Sequence, residues 1–419
     1  MSELIDNHAK RIQTLKGIIR QLHRGVDPAE VQSQLRALVG QTHPGEIAAM
    51  EQELMAEGMT VEEVKSMCDL HATVVQEILS GPQQATAVPA GHPVDTFRRE
   101  NVALREAVSR MRLAISESTA LPPDAGAGDA RLRLRRELND LMEVDKHYRR
   151  KENLLFSCLE RHGITGPSKV MWAKDDDVRA LLKGFEQALG PTPPSADELA
   201  TVFARVAEPA LQALSGMIDK EENILLPMAL QTLTEEEWGE IWQQSPEYGW
   251  CLVEPRSGYT APSPATPELT VDLPRGRAIQ FPTGSLNFEQ LSAIFSTLPV
   301  DLTFVDADDR VRFFSEGPER IFPRSKAVIG RKVQHCHPPA SVDVVERILG
   351  DFRAGRQNVA EFWINLRGKF VHIRYFAARD PQGQYLGTLE VTQDLTPLRA
   401  LAGERRLLQY DAPLAAIGS

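Results

Sequence analysis

Apolar positions recur at helical spacing through most of the first 250 residues, then switch to a strand period near residue 300. In segment 1–80, Ile5, Ile12, Leu15, Ile18, Ile19 and Leu22 follow one helix face. Asp27-Pro28 reads as an N-cap followed by a first-turn proline, with Val31, Leu35 and Leu38 behind it. Thr60-Val-Glu-Glu63 has capping-box spacing and opens a helix through Val64, Met67, Leu70 and Val74. Amphipathic stretches at 93–115, 131–162, 175–189 and 196–230, with a short one at 234–244, predict a second helical domain over 92–250. Four main helices suggest an up-down bundle. Segment 286–400 differs. A helix at 288–297 precedes DLTFVDADDRVRFFS, a strand, polar turn and strand. A helical stretch ending in SVDVVERILGDFRAG follows, and then three strand patterns in VAEFWINLRGKFVHIRYFAARD and QYLGTLEVTQDL. Their turns fall at Arg367-Gly368-Lys369 and at Asp380-Pro-Gln-Gly383. This order predicts an α+β domain with one five-stranded antiparallel sheet. The chain is thus read as multidomain: two all-α parts, then α+β. GPQQATAVPAG (81–91) and the proline-rich stretch 253–278 read as linkers, and 118–130 as a loop inside the bundle.

Composition narrows the function classes. The 419 residues carry 47 basic and 58 acidic side chains, a net charge of −11, so no global pull toward nucleic acid or anionic membrane is expected. The run RLRLRRE (131–137) reads as a solvated helix face. No apolar run approaches the roughly 18 residues of a membrane span. MSELIDNHAKRIQTL lacks the apolar core of a signal peptide, and a cytoplasmic location is expected. Cys68, Cys158, Cys251 and Cys336 stand far apart with no CxxC pair, which fits a reducing compartment and supports neither a zinc ribbon nor a disulfide scaffold. There is no phosphate-binding Gly-x4-Gly-Lys-Ser/Thr loop, no Gly-x-Ser-x-Gly elbow and no kinase transmitter pattern, so no enzyme activity is read from motifs.

The bundle region contains an internal repeat. HYRRKENLLFSCLE from His147 and MIDKEENILLPMAL from Met217 align without gaps, so that Glu152-Asn153-Leu154-Leu155 matches Glu222-Asn223-Ile224-Leu225. Residues four apart share a helix face. In the first copy that pair is His147 and Lys151; in the second it is Met217 and Glu221. A two-metal site wants His and Glu at this spacing on at least one such helix, and neither copy has the full pair: one retains the His, the other the Glu.

His92-Pro-Val, HYRRKENLLF and KEENILLPM together resemble the hemerythrin-like (HHE cation-binding) family, over about 92–250. The resemblance implies a four-helix bundle holding a non-haem di-iron centre with His and bridging carboxylate ligands. Carried over by position, His92, His147 and Glu221 fall on ligand places. Lys151 stands where a bridging Glu is expected, Met217 where a His is expected, and Asp175 where the third helix would supply a His. Glu152 and Glu222 are additional candidate acids. A Lys ammonium inside a cationic centre is repulsive. Three readings remain open: a bundle without metal, a mononuclear or altered non-haem iron site, and haem with His147 and Met217 or Met171 as axial ligands.

PGEIAAMEQELMAEGM and EVKSMCDLHATVV in segment 1–80 resemble an uncharacterised helical family found ahead of hemerythrin-like domains. Cys68 and His71 share a helix face there and form a candidate redox pair. VDLTFVDADDRVRFFSEG, VIGRKVQHCHPPASVDVVERIL and GKFVHIRYFAARDPQGQYLGTLEVTQDLT resemble a PAS domain over 286–397. That resemblance implies signal input, an apolar pocket and dimerisation, without naming a ligand. Cys336 and His337 are candidate cofactor or redox residues within it. The expected function is sensory: a degenerate hemerythrin-like bundle plus a PAS domain, responding to redox state, gas or iron and signalling to an unknown protein partner, as a homodimer through the PAS domain. The competing reading is an iron-handling or redox protein similar to hemerythrin-like iron–sulfur cluster repair proteins.

Overall fold

The computed structural model describes residues 86–120, 128–190, 200–262, 278–317, 320–322, 324–404 and 406, with positions 14, 17, 53, 55 and 57–60. Segment 1–80, with Cys68 and His71, therefore lies almost wholly outside the described residues. The chain divides into two compact units: a helical one, 1–272 with 324–346, and a sheet-containing one, 273–323 with 347–419.

Among the described residues, the helical unit is built from four rods. Helix α1 spans Pro93–Thr119. Its buried positions, Phe97, Asn101, Leu104, Val108 and Met111, recur every three or four residues and form the core-facing stripe. The second rod is α2 (Gly128–Met142), then α3 (Val144–Arg150), a π-helical turn (Lys151–Leu155) and α4 (Phe156–Arg161). The third is α5, Gly166–Ala188. The fourth is helical from residue 200, widens into a π-helical turn (Phe203–Ala207), and runs through α6 (Glu208–Lys220), a further π-helical turn (Glu221–Leu225) and α7 (Leu226–Thr232). Helix α8, Glu235–Gln244, is opened by a reciprocal capping box between Thr234 and Glu237. Leu104, Met111, Leu138, Leu155, Phe185, Leu211, Leu214 and Leu225 belong to one continuous core.

Two features differ from the sequence expectation. Helix α5 begins at Gly166, nine residues before the expected start at 175, with Pro167 in its first turn. A first-turn proline lacks only an N–H that would have no helical partner. Asp175 therefore sits well inside the helix. The first ten residues of the proline-rich stretch also pack on the bundle. Arg256 pairs with Asp95, Arg99 Nη1 donates to the Glu254 carbonyl at 2.7 Å, and the Tyr259 ring meets His92. At Gly91 (φ 81°) a Cβ would lie 2.1 Å from the Arg256 carbonyl, so this strap requires glycine.

The sheet unit opens with a hairpin of β1 (Ile279–Phe281) and β2 (Gly284–Leu286), two short strands the sequence pattern did not reveal. Helix α9 (Phe288–Thr297) follows, capped reciprocally by Asn287 and Gln290. Then come β3 (Asp301–Asp306), β4 (Val311–Phe314), α10 (Pro339–Arg353, of which residues 347–353 belong to this unit), β5 (Val359–Leu366), β6 (Lys369–Arg379), β7 (Tyr385–Asp394) and the short α11 (Thr396–Arg399). The sheet is antiparallel throughout, in the order β4-β3-β7-β6-β5. The β5–β6 turn is Arg367-Gly368, both at positive φ (51° and 79°), the requirement of a two-residue hairpin turn. Gly387 faces β3, where a Cβ would lie 2.1 Å from the Val305 carbonyl. Among the described residues no helix is long and apolar enough to cross a membrane.

Candidate functional site

The internal repeat reappears as a structural repeat. Lys151–Leu155 and Glu221–Leu225, seventy residues apart, are both π-helical turns. Each widened turn disturbs the backbone ladder, and the repeated asparagine repairs it. Asn153 Nδ2 donates to the Arg149 carbonyl and Asn223 Nδ2 to the Asp219 carbonyl, each at 2.8 Å. The invariant part of the repeat thus has a backbone role. π-Helical turns are rare and concentrate at functional sites. Here each turn begins on the residue whose side chain reaches the bundle centre: Lys151 in one, Glu221 in the other.

These side chains meet in a buried ion cluster. Lys151 Nζ lies 2.8 Å from Asp175 Oδ1 and also contacts Glu221 Oε1. His147 Nε2 lies 2.8 Å from Glu221 Oε2, and His147 Nδ1 lies 2.8 Å from Glu100 Oε2. Glu100 also pairs with Arg150, and its Oε1 accepts the Cys251 N–H at 2.8 Å. Arg179 forks onto Glu152 at 2.7 and 2.9 Å. Aromatic rings surround the cations. Lys151 Nζ stands 4.2 Å from the Tyr148 ring centre, and the Arg150 guanidinium lies between Phe97 and Trp250 at 5.0 and 4.7 Å. Four carboxyl groups (Glu100, Glu152, Asp175, Glu221) face four basic groups (His147, Arg150, Lys151, Arg179), and all but Arg179 are buried.

Burial and pairing compete at each group. For His147, burial lowers the pKa, but Glu221 and Glu100 outweigh it, and the imidazole is held above its ordinary value. Both ring nitrogens then donate to carboxylates, as only an imidazolium can. Burial would raise Glu221, yet Lys151 and His147 hold it down to about 2. Asp175 is pushed well upward, by burial first and then by the Glu152 and Glu221 charges, against the pull of Lys151. Its Oδ2 is buried with no hydrogen-bond partner. Asp175 is therefore the first carboxyl of the Lys151 pair to take a proton as pH falls.

Three family models match the chain: a family of unknown function (DUF438) at 15–81, the hemerythrin HHE cation binding domain at 92–229, and a PAS domain at 291–396. The chain joins a hemerythrin-like domain to a PAS domain. Similar solved structures include the C-terminal domain of a Streptococcus mutans protein, 33% identical, spanning 30% of this chain and 97% of that one with a TM-score of 0.29. The PAS domain of a Colwellia psychrerythraea protein is 16% identical, with 26% and 97% of the two chains covered and a TM-score of 0.22. A sensory box sensor histidine kinase from Vibrio cholerae is 14% identical, with 25% and 89% covered and a TM-score of 0.20. No curated protein matches the chain.

Hemerythrin HHE domains typically bind iron, so the fit of these residues to a metal can be judged from the donor set. An ammonium occupies the place between Asp175 and Glu221 where two carboxylates would share a cation. Both imidazole nitrogens of His147 are taken by carboxylates. No group of three or more His, Cys, Asp or Glu arranged to hold a metal occurs among the described residues. The residues present do not fit an iron centre. Haem fares no better, since His147 offers no ring nitrogen for an axial bond, and Met217 and Met171 are core side chains.

The structure brings four of the expected site residues together: His147, Glu221, Asp175 and Glu152. His92 is elsewhere. Its Nδ1 accepts the Val94 N–H at 3.1 Å as the cap of α1, and its ring lies 4.9 Å from both Trp238 and Tyr259. Burial lowers its pKa to about 4, so it is a neutral capping residue. Glu222 turns outward to Arg105 at 2.9 Å. Cys336 Sγ donates to the Lys332 carbonyl at 3.5 Å, and His337 Nδ1 donates to that of Val333 at 2.8 Å. The cluster also contains Glu100, Arg150 and Arg179, which the sequence reading did not select. Glu100 had a signal: it lies three residues after Phe97 and four before Leu104, on the apolar stripe of α1.

Proposed function

We propose that this chain is a sensory protein in which the PAS domain receives the signal and the hemerythrin-like domain is a metal-independent bundle closed by Lys151. A hemerythrin-like domain joined to a PAS domain supports a sensory or signalling role. The carrying observation is the Lys151 ammonium between Asp175 and Glu221, a built-in cation where the family places metal ligands. The iron-handling reading needs those carboxylates open, and they are occupied. The output is a change in assembly or a protein partner. An optical spectrum with metal analysis on the freshly purified full chain tests this. The expected result is no Soret band, no near-ultraviolet oxo-iron bands, and iron well below one per chain. A stoichiometric haem or iron signal would refute the metal-independent bundle.

The assembly is a homodimer made by α9 and the outer sheet face, as PAS domains often form. Helix α9 has no buried residue, although its sequence FEQLSAIFST is apolar. Phe288 is 61% exposed, and Trp363 on edge strand β5 is 63% exposed. Only Phe295 makes a ring contact, at 5.2 Å from Phe313 of β4. Large apolar side chains left in water mark an interaction surface. Light scattering of the full chain should give twice the chain mass, and Phe288→Glu with Ile294→Glu should give a monomer. A monomeric wild type, or a variant that still dimerises, would remove this surface from the account.

A further inference from the structure

Residues 324–346 lie inside the PAS match in sequence, yet belong to the helical unit. The attachment centres on Arg331, whose guanidinium is buried. Its Nε and Nη2 fork onto Glu160 in α4 at 2.5 and 2.8 Å. Its Nη1 donates to the backbone carbonyl of Glu152 at 3.2 Å, inside the first π-helical turn. Glu152 therefore faces two ways: its carboxylate is held by Arg179 in the ion cluster and its carbonyl by Arg331. Further contacts fix the same segment. The Ala327 N–H donates to Gln244 Oε1 at 3.2 Å, and Ala327 packs against the bundle core. Gly330 (φ 81°) makes the left-handed turn that delivers Arg331 inward. A desolvated Arg–Glu fork is costly to break one-sidedly, so it holds the segment firmly on the bundle.

We propose that Arg331 is a positioning residue that fastens segment 324–346 to the ion cluster through the Glu152 π-helical turn, so that the cluster and the placement of this segment are set together. The proposal rests on reading the cluster as a structural ion network. It assigns the bundle a regulatory part: disturbance at Lys151 or Glu152 loosens the PAS-sequence segment, and disturbance at Arg331 loosens the turn. Linkage requires both directions.

Hydrogen–deuterium exchange on the full chain tests it. Arg331→Lys keeps the charge but loses the fork; it should speed exchange in 326–337 and in 152–157 by about tenfold or more. Lys151→Met should speed exchange in 326–337 by a similar factor, with β5, β6 and β7 unchanged. Should Lys151→Met fail to fold, Glu152→Gln serves, losing the Arg179 fork at nearly constant shape. Leu138→Ala, a core truncation in α2, controls for plain loss of bundle stability. Coupling is refuted if 326–337 exchanges at the wild-type rate in the cluster variants. It is equally refuted if Leu138→Ala speeds 326–337 as much at equal loss of stability. Metal content measured on the same samples separates the two claims: stoichiometric iron would refute the metal-independent reading while leaving the exchange result to judge the fastening.

Discussion

Lys151→Met should cost the full chain about 3–5 kcal/mol of bundle stability, because removing one partner of a buried ion pair leaves the other uncompensated. Two carboxyl groups lose their cation at once. Glu221 keeps His147, whereas Asp175 keeps no basic neighbour at hydrogen-bond distance and must take up a proton. Urea unfolding followed by tryptophan fluorescence reads this, since Trp172, Trp238, Trp242 and Trp250 lie in the helical unit and only Trp363 in the sheet unit. Adding Asp175→Asn to Lys151→Met should recover part of the loss, since the amide needs no cation. A Lys151→Met chain within about 0.5 kcal/mol of wild type would mean that the ammonium is incidental, as substitutions away from key features usually are.

The same cluster should give the bundle a stability optimum bounded on both sides. Glu221 is depressed from 4.5 to about 2, so its contribution is complete above 4.5 and is lost as pH falls through the folded value. That shift corresponds to about 3 kcal/mol. His147 is raised above 6.5, so its contribution is complete below 6.5 and is lost as pH rises through its folded value. The loss proceeds at about 1.4 kcal/mol per pH unit while the unfolded imidazole has lost its proton and the folded one has kept it. Asp175, raised from 3.8 by burial, also makes stability fall with rising pH, so the variants are needed to separate the two. Urea midpoints between pH 3 and 9 should flatten on the alkaline side in His147→Phe and on the acid side in Glu221→Gln. An alkaline slope unchanged in His147→Phe would show that the imidazole is neutral in the folded chain, contrary to its two carboxylate contacts.

Much of this architecture was legible from periodicity and turn residues, and the failures have local causes. The sheet could be read because Arg367-Gly368 and the Asp380-to-Gly383 turn punctuate alternating strands. Strands β1 and β2 were missed because three residues carry almost no period. The start of α5 was missed because Gly166-Pro167 reads as a breaker, although proline suits a first helical turn. The chain position of His92 matches a family ligand place, and in the structure its side chain caps α1. At the site, the repeat exposed His147, Lys151 and Glu221, but the two asparagines that brace the π-helical turns looked like inert matches. Arg150 and Arg179 are not legible in the sequence, because burial of an arginine depends on partners from other rods, which a linear pattern does not show.

In the proposed function, Lys151 closes the hemerythrin-like bundle without a metal. Thermal unfolding of the full chain, followed by far-ultraviolet circular dichroism under anaerobic conditions, tests it in chelator and in excess ferrous iron. A metal held by the folded state adds about 2.7 kcal/mol at a free concentration one hundred times its dissociation constant, a shift of several degrees. The account predicts superimposable curves in chelator and iron. A helical transition that rises by several degrees with iron and falls with chelator would contradict it.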